Sequence, residues 1–119
     1  MVRAARCAIK RLRIRARGTC EIAFVTAARI HALHRAFLGH DGPTDVLSFR
    51  YDGEPVVGEI LIAPSAARAY ARRHGVAYEE ELRRYVVHGL LHWLGHEDRT
   101  KQEQARMRAL EDDLLAHCT

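Results

Sequence analysis

The stretch Tyr78 to Asp98, YEEELRRYVVHGLLHWLGHED, decides how the rest of the chain is read. Leu82, Tyr85, Val86, Val87, Leu90, Leu91, Trp93 and Leu94 leave few polar positions in its second half, which predicts a long, central and largely buried helix ended by Gly95. His88 and His92 interrupt that apolar run. Four residues apart, they share one helix face about 6 Å from each other along the axis, and one metal ion can bridge them. Imidazole nitrogen binds zinc at about 2.0 to 2.1 Å, and a site with three protein ligands keeps a position for water, whose pKa the metal lowers towards about 7. The chain must then supply a third ligand. On an unbroken helix His96 would lie about 12 Å from His88 along the axis, too far to share an ion. Gly95 can reverse the chain, which opens His96, Glu97 and Asp98 as candidates. These residues also have ordinary structural readings. Eight histidines make one such pair unsurprising, a buried histidine needs only a hydrogen-bond partner, and Asp98 would suit the start of a following helix.

Outward from this stretch, Thr100 with Glu103 has the capping-box spacing that opens a final helix, with Met107, Leu110 and Leu114 on one side. On the other flank, Pro64 to His74 predicts a helix ended by Gly75. Asp45 to Tyr51 and Val56 to Ala63 are strand-like runs around the turn residues Asp52 to Pro55, an expected antiparallel hairpin preceded by a polar loop, His40 to Pro43. Glu21 to Thr26 has the apolar density of a strand. Thr26 then caps a helix from Ala27 to Leu38, closed by Gly39, with Ile30, Leu33 and Phe37 as its buried stripe. From Arg3 to Arg17 basic and apolar residues alternate, with Ile9 and Leu12 at helical spacing before Gly18. A short first helix is expected there, although Arg13 to Arg17 would also suit a strand. The expected architecture is α+β: one domain over residues 1–119, with a small mixed sheet packed with about five helices and a metal site on the central buried one.

At 119 residues the chain can bury roughly two thirds of its unfolded surface without disulfides. An apolar share of 48% with 29% charged residues excludes a chain too polar to collapse. No apolar run approaches the roughly 20 residues of a membrane span, and Met1 to Lys10 lacks the apolar core of a signal peptide, so no membrane association and a cytoplasmic location are expected. Cys7, Cys20 and Cys118, an odd number without a CxxC pair, suggest reduced thiols. The net charge of +4 is almost wholly arginine, since lysine occurs only at Lys10 and Lys101, and this favours an anionic partner.

The segment HGLLHWLGHED, His88 to Asp98, resembles the HGxLHxxGYDH signature of the YbeY family of metal-dependent ribosomal RNA maturation endoribonucleases. LHRAFLGHDGPTDVLSF, Leu33 to Phe49, is similar to that family's LNxxYRGxDxPTDVLSF block, and Gly58-Glu59-Ile60 to its Gly-Asp-Ile strand start. The resemblance covers roughly residues 20 to 115. It implies that His88 and His92 are the first two ligands of one zinc ion, with Asp98 where the family usually has its third histidine and His96 in place of the usual tyrosine. A carboxylate remains competent at about 2.0 to 2.2 Å, but makes the metal less electropositive and broadens the choice to iron or related divalent ions. Leu38 stands where the family's block usually has arginine, and Arg35, one turn earlier, is the candidate to replace it in holding substrate. Ser48, with Thr44, Asp45 and Phe49, marks the strand expected beside the site; Ser48 is a candidate substrate contact, and turn capping and sheet packing are the alternative for these residues. The N-terminal segment is shorter than the family's usual first helix and strand.

The resemblance implies a single-strand-specific endoribonuclease acting in 3′-end maturation of 16S ribosomal RNA and in ribosome quality control, with ribosomal RNA and the small subunit as partners. The residues single out no general base; Glu59, Glu97 and hydroxide on the metal are the candidates. Two alternatives stand beside this reading. One is a zinc metalloprotease, which would place a glutamate where this chain has Gly89. The other is a non-catalytic ribosome-associated protein in which the metal is structural. The sequence leaves the oligomeric state open.

Overall fold

The computed structural model describes residues 1–15, 18–38, 46–51 and 56–118. Five helices and three strands follow in the order α1 (Val2–Arg11), β1 (Thr19–Phe24), α2 (Ala27–Leu38), β2 (Val46–Arg50), β3 (Val56–Ile62), α3 (Pro64–His74), α4 (Tyr78–Trp93) and α5 (Lys101–His117). The fold is α+β, as expected. Local signals in the sequence set most of the boundaries. Thr26 accepts from the Arg29 N–H at 3.1 Å to open α2, Pro64 sits in the first turn of α3, and Gly75 ends that helix at φ 66°. Thr100 and Glu103 close a reciprocal capping box at 3.0 and 2.9 Å at the start of α5. The expected loop at 40–43, the turn at 52–55 and the cap at Gly39 lie outside the described residues.

The sheet is mixed, with order β1-β3-β2. β3 pairs antiparallel with β2 and parallel with β1. Being central, β3 is buried on both faces. Ile60 and Ile62, both 0% exposed, face the main core with Val86, Val87, Leu90 and Leu91 of α4 and Met107 and Leu114 of α5. Leu61 and Ala63 face a second cluster with Ile30 of α2 and Leu47. No helix among the described residues is long and apolar enough to cross a membrane.

α4 lies on the sheet by alternation of large and small residues. Trp93 covers Gly58, where a Cβ would come within 2.3 Å of the indole ring, and Gly89 covers Ile60, where a Cβ would meet three side-chain carbons at 3.2 Å. Two β2 side chains then grip the helix. Ser48 donates to the Gly89 carbonyl at 2.8 Å and Arg50 to the Trp93 carbonyl at 3.0 Å. Two residues of strand advance about 6.6 Å and four of helix about 6 Å, so this pair fits one turn of α4.

Two expectations are corrected. The first helix ends at Arg11, well before Gly18, because Arg13 adopts the left-handed conformation at φ 55° and reverses the chain. The cysteines are not all free: Cys7 of α1 and Cys118, just after α5, form a disulfide, leaving Cys20 as the free thiol. The odd count concealed this because cysteines 111 positions apart meet only once α1 packs beside α5. Thiol titration of denatured, unreduced protein should count one thiol, rising to three after reduction. Cys118→Ser should cost about 2 to 4 kcal/mol of stability, because so long a loop is no longer closed in the unfolded chain. A count of three before reduction would refute the bond.

Candidate metal centre

The helical phase of α4 that turns Val86, Gly89 and Trp93 to the core turns Arg84, His88 and His92, at positions i, i+4 and i+8, along a flank facing α5. Past Trp93 the chain folds back at Gly95, with φ 90°, while the His96 N–H donates to the Leu91 carbonyl at 3.2 Å. That reversal carries Asp98 to the histidines. His88 Nε2 and His92 Nε2 are 3.0 Å apart, and Asp98 Oδ2 lies 3.3 Å from the first and 3.7 Å from the second. Among the described residues this is the group of three whose ligand atoms converge closely enough to hold a metal ion. Two neutral nitrogens and one carboxylate oxygen are a donor set for zinc or another divalent transition metal. The three atoms open on a cleft of ≈ 690 Å³ between α4, α5 and β2.

His96 does not join them. It lines a separate, smaller pocket with Glu103 and Arg106, so the turn at Gly95 selects Asp98. Of the candidate bases, Glu97 lines the cleft, with Arg99 Nε 3.5 Å from its carboxylate. Glu59 does not line it and accepts the Tyr51 hydroxyl at 2.8 Å. Ser48 lines the cleft, but its hydroxyl is engaged on Gly89. Arg35 is exposed outside the cleft, whereas its neighbour His34 lines it. Leu38 is described in its backbone alone, and Thr44 and Asp45 lie outside the described residues.

Glu111 of α5 joins the site without any expectation from the sequence. The residue is 4% exposed, and its carboxylate lies 2.6 Å from His88 Nδ1. A carboxylate on the far nitrogen holds the imidazole with Nε2 toward a metal and raises its basicity. Arg84 completes the arrangement, donating to Glu111 at 2.9 Å and to Asp112 at 2.7 Å. Burial pushes the Glu111 carboxyl up, but hydrogen bonds from His88 and Arg84 outweigh it and hold the pKa below the ordinary value. At His92, burial and the nearby His88 push the pKa down, which favours the neutral, ligating imidazole. A signal for Glu111 exists in the sequence: it falls in the buried stripe of α5 between Met107 and Leu114, where an unpaired carboxylate would be costly.

Residues 1–119 match the family described as Endoribonuclease YbeY over their whole length. The chain belongs to the YbeY family. Proteins named Endoribonuclease YbeY from Chlorobaculum tepidum, Exiguobacterium and Geobacillus kaustophilus are similar to it. The first is 39% identical over 99 residues, 82% of this chain and 72% of that protein. The second is 34% identical over 110 residues, 81% and 70%. The third is 37% identical over 108 residues, 80% and 69%. The solution structure of a Thermotoga maritima protein superimposes with a TM-score of 0.56 at 27% identity, covering 98% of this chain and 79% of that one. YbeY membership agrees with the resemblance read from His88 to Asp98 and Leu33 to Phe49.

Proposed function

We propose that this chain is a metal-dependent endoribonuclease, working as one domain and holding one zinc ion through His88 Nε2, His92 Nε2 and Asp98 Oδ2. The observation that carries this reading is the convergence of those three atoms on an open cleft in a chain of the YbeY family. A zinc ion bound there supplies Lewis acidity toward a phosphodiester oxygen. Glu111 orients His88 and His92 is kept neutral by its surroundings; of the two carboxylate candidates for the base, Glu97 is preferred because it lines the cleft and Glu59 does not. The substrate is single-stranded RNA, and the cellular role is 16S ribosomal RNA 3′-end maturation and ribosome quality control in the cytoplasm, with the small subunit as partner.

Neither alternative has comparable support. A protease glutamate at position 89 would point at Ile60 in the sheet rather than at the cleft. A structural zinc is usually enclosed by four protein ligands, whereas this group has three and faces open space. The test is incubation of purified protein with single-stranded RNA, duplex RNA and casein, with and without chelator. Internal cleavage of the single strand alone is expected, lost on chelation and restored by zinc, with helical content retained. Cleavage of casein but not RNA, or unfolding on chelation with no RNA cleavage, would overturn the proposal.

A further inference from the structure

The most basic segment of the molecule takes no part in the cleft. Seven of the 19 basic residues fall within the first 20 positions, while all 15 acidic residues lie from Glu21 onward. The N-terminal segment therefore carries +7, and the remainder, which holds the metal centre, is net negative. Arg3, Arg6 and Lys10, spaced three and four apart, line one face of α1, and Arg11, Arg13 and Arg15 continue the exposed basic surface. Among the described residues none of these six side chains has an ion-pair or hydrogen-bond partner. The other face is buried: Ala5 and Ala8 sit in the main core, and Cys7 is bonded to Cys118.

Arg13 adds an independent observation. It is the one non-glycine residue with positive φ among the described residues. Its N–H donates to the Lys10 carbonyl at 3.2 Å and that of Ile14 to the Ile9 carbonyl at 3.1 Å, closing α1 in a pattern that usually takes glycine. An arginine here bears a backbone cost that glycine would avoid. Strain retained at a charged, exposed position points to a use for the charge.

We propose that this face of α1 is an RNA docking surface, holding phosphates of the strand outside the cleft. It rests on the endoribonuclease reading for its ligand. An anionic membrane fits less well, because an interfacial helix buries its apolar face in lipid and here that face is already in the core. Phosphate contacts make RNA affinity fall with salt, by a slope of about 0.7 per contact for single strands.

The experiment compares wild type with Arg3→Gln/Arg6→Gln/Lys10→Gln in binding a long single-stranded RNA across a salt series, and in cleaving a short oligonucleotide that only the cleft can hold. The triple variant should bind the long RNA more weakly, with a slope shallower by about 2, and cleave the short one at the wild-type rate. Arg13→Gly should melt a few degrees higher yet lose about 0.7 of the slope. An unchanged slope in both variants, or wild-type binding to phosphatidylglycerol vesicles but not to RNA, would overturn the dock. RNA binding with the expected slopes but no cleavage of either RNA would remove the endoribonuclease reading and leave the dock standing.

Discussion

The His92→Ala variant is expected to retain no stoichiometric zinc and to cleave single-stranded RNA at least about 10³-fold more slowly, while staying folded. A Lewis acid contributes several kcal/mol to such a transition state, and about 1.4 kcal/mol corresponds to each factor of ten. The fold should survive because the His92 side chain lies at the cleft, 29% exposed, with its ring against His88 and the Asp98 carboxylate. Elemental analysis, single-turnover cleavage and circular dichroism measure the three parts separately. Wild-type cleavage by a folded His92→Ala protein would end the metal-catalysis reading. Asp98→Ala provides the companion measurement: zinc content should fall, and an unchanged value would mean that Asp98 is not the third ligand.

Glu111→Ala should be the most destabilising single change at the site, by about 3 to 5 kcal/mol, because it leaves the half-buried Arg84 guanidinium and His88 Nδ1 without their shared carboxylate. Glu111→Gln keeps the shape and isolates the charge. It should weaken zinc binding about 10- to 100-fold, as expected when the orienting partner of a ligating histidine is altered. Zinc binding by Glu111→Gln equal to wild type would refute the orienting role. The two forms should also differ in acid. The folded-state pKa of Glu111 is lowered from 4.5, so its contribution is complete above that value and lost as pH falls through the folded value. Metal-free Glu111→Gln should therefore show a shallower loss of stability below about pH 4.5 than metal-free wild type.

The elements that were legible in advance are those controlled by residues close together in the chain. α2 begins just after its Thr26 cap and ends at Leu38 as expected, α3 runs from Pro64 to the residue before Gly75, and α5 starts at its capping box. The Arg3 to Arg17 alternation was ambiguous for the same reason. Helix and strand patterns overlap over so few residues, and the left-handed turn at Arg13 has no glycine to announce it.

The sequence by itself determined the histidine pair: helical geometry brings residues four apart to one face wherever the helix lies, so His88 and His92 needed no tertiary information. It also determined the antiparallel β2–β3 pairing through the runs either side of 52–55. Spacing left His96, Glu97 and Asp98 open and the family motif favoured Asp98, but only the tertiary structure shows Asp98 reaching the histidines, because that depends on how the chain leaves Gly95. Tertiary structure alone brought Glu111 to His88, 23 positions away, and Cys7 to Cys118. Such partners carry no spacing rule. They meet because α1 and α5 bury their apolar faces against the same helix, and the polar and thiol groups between those faces are then bonded to whatever the packing sets beside them.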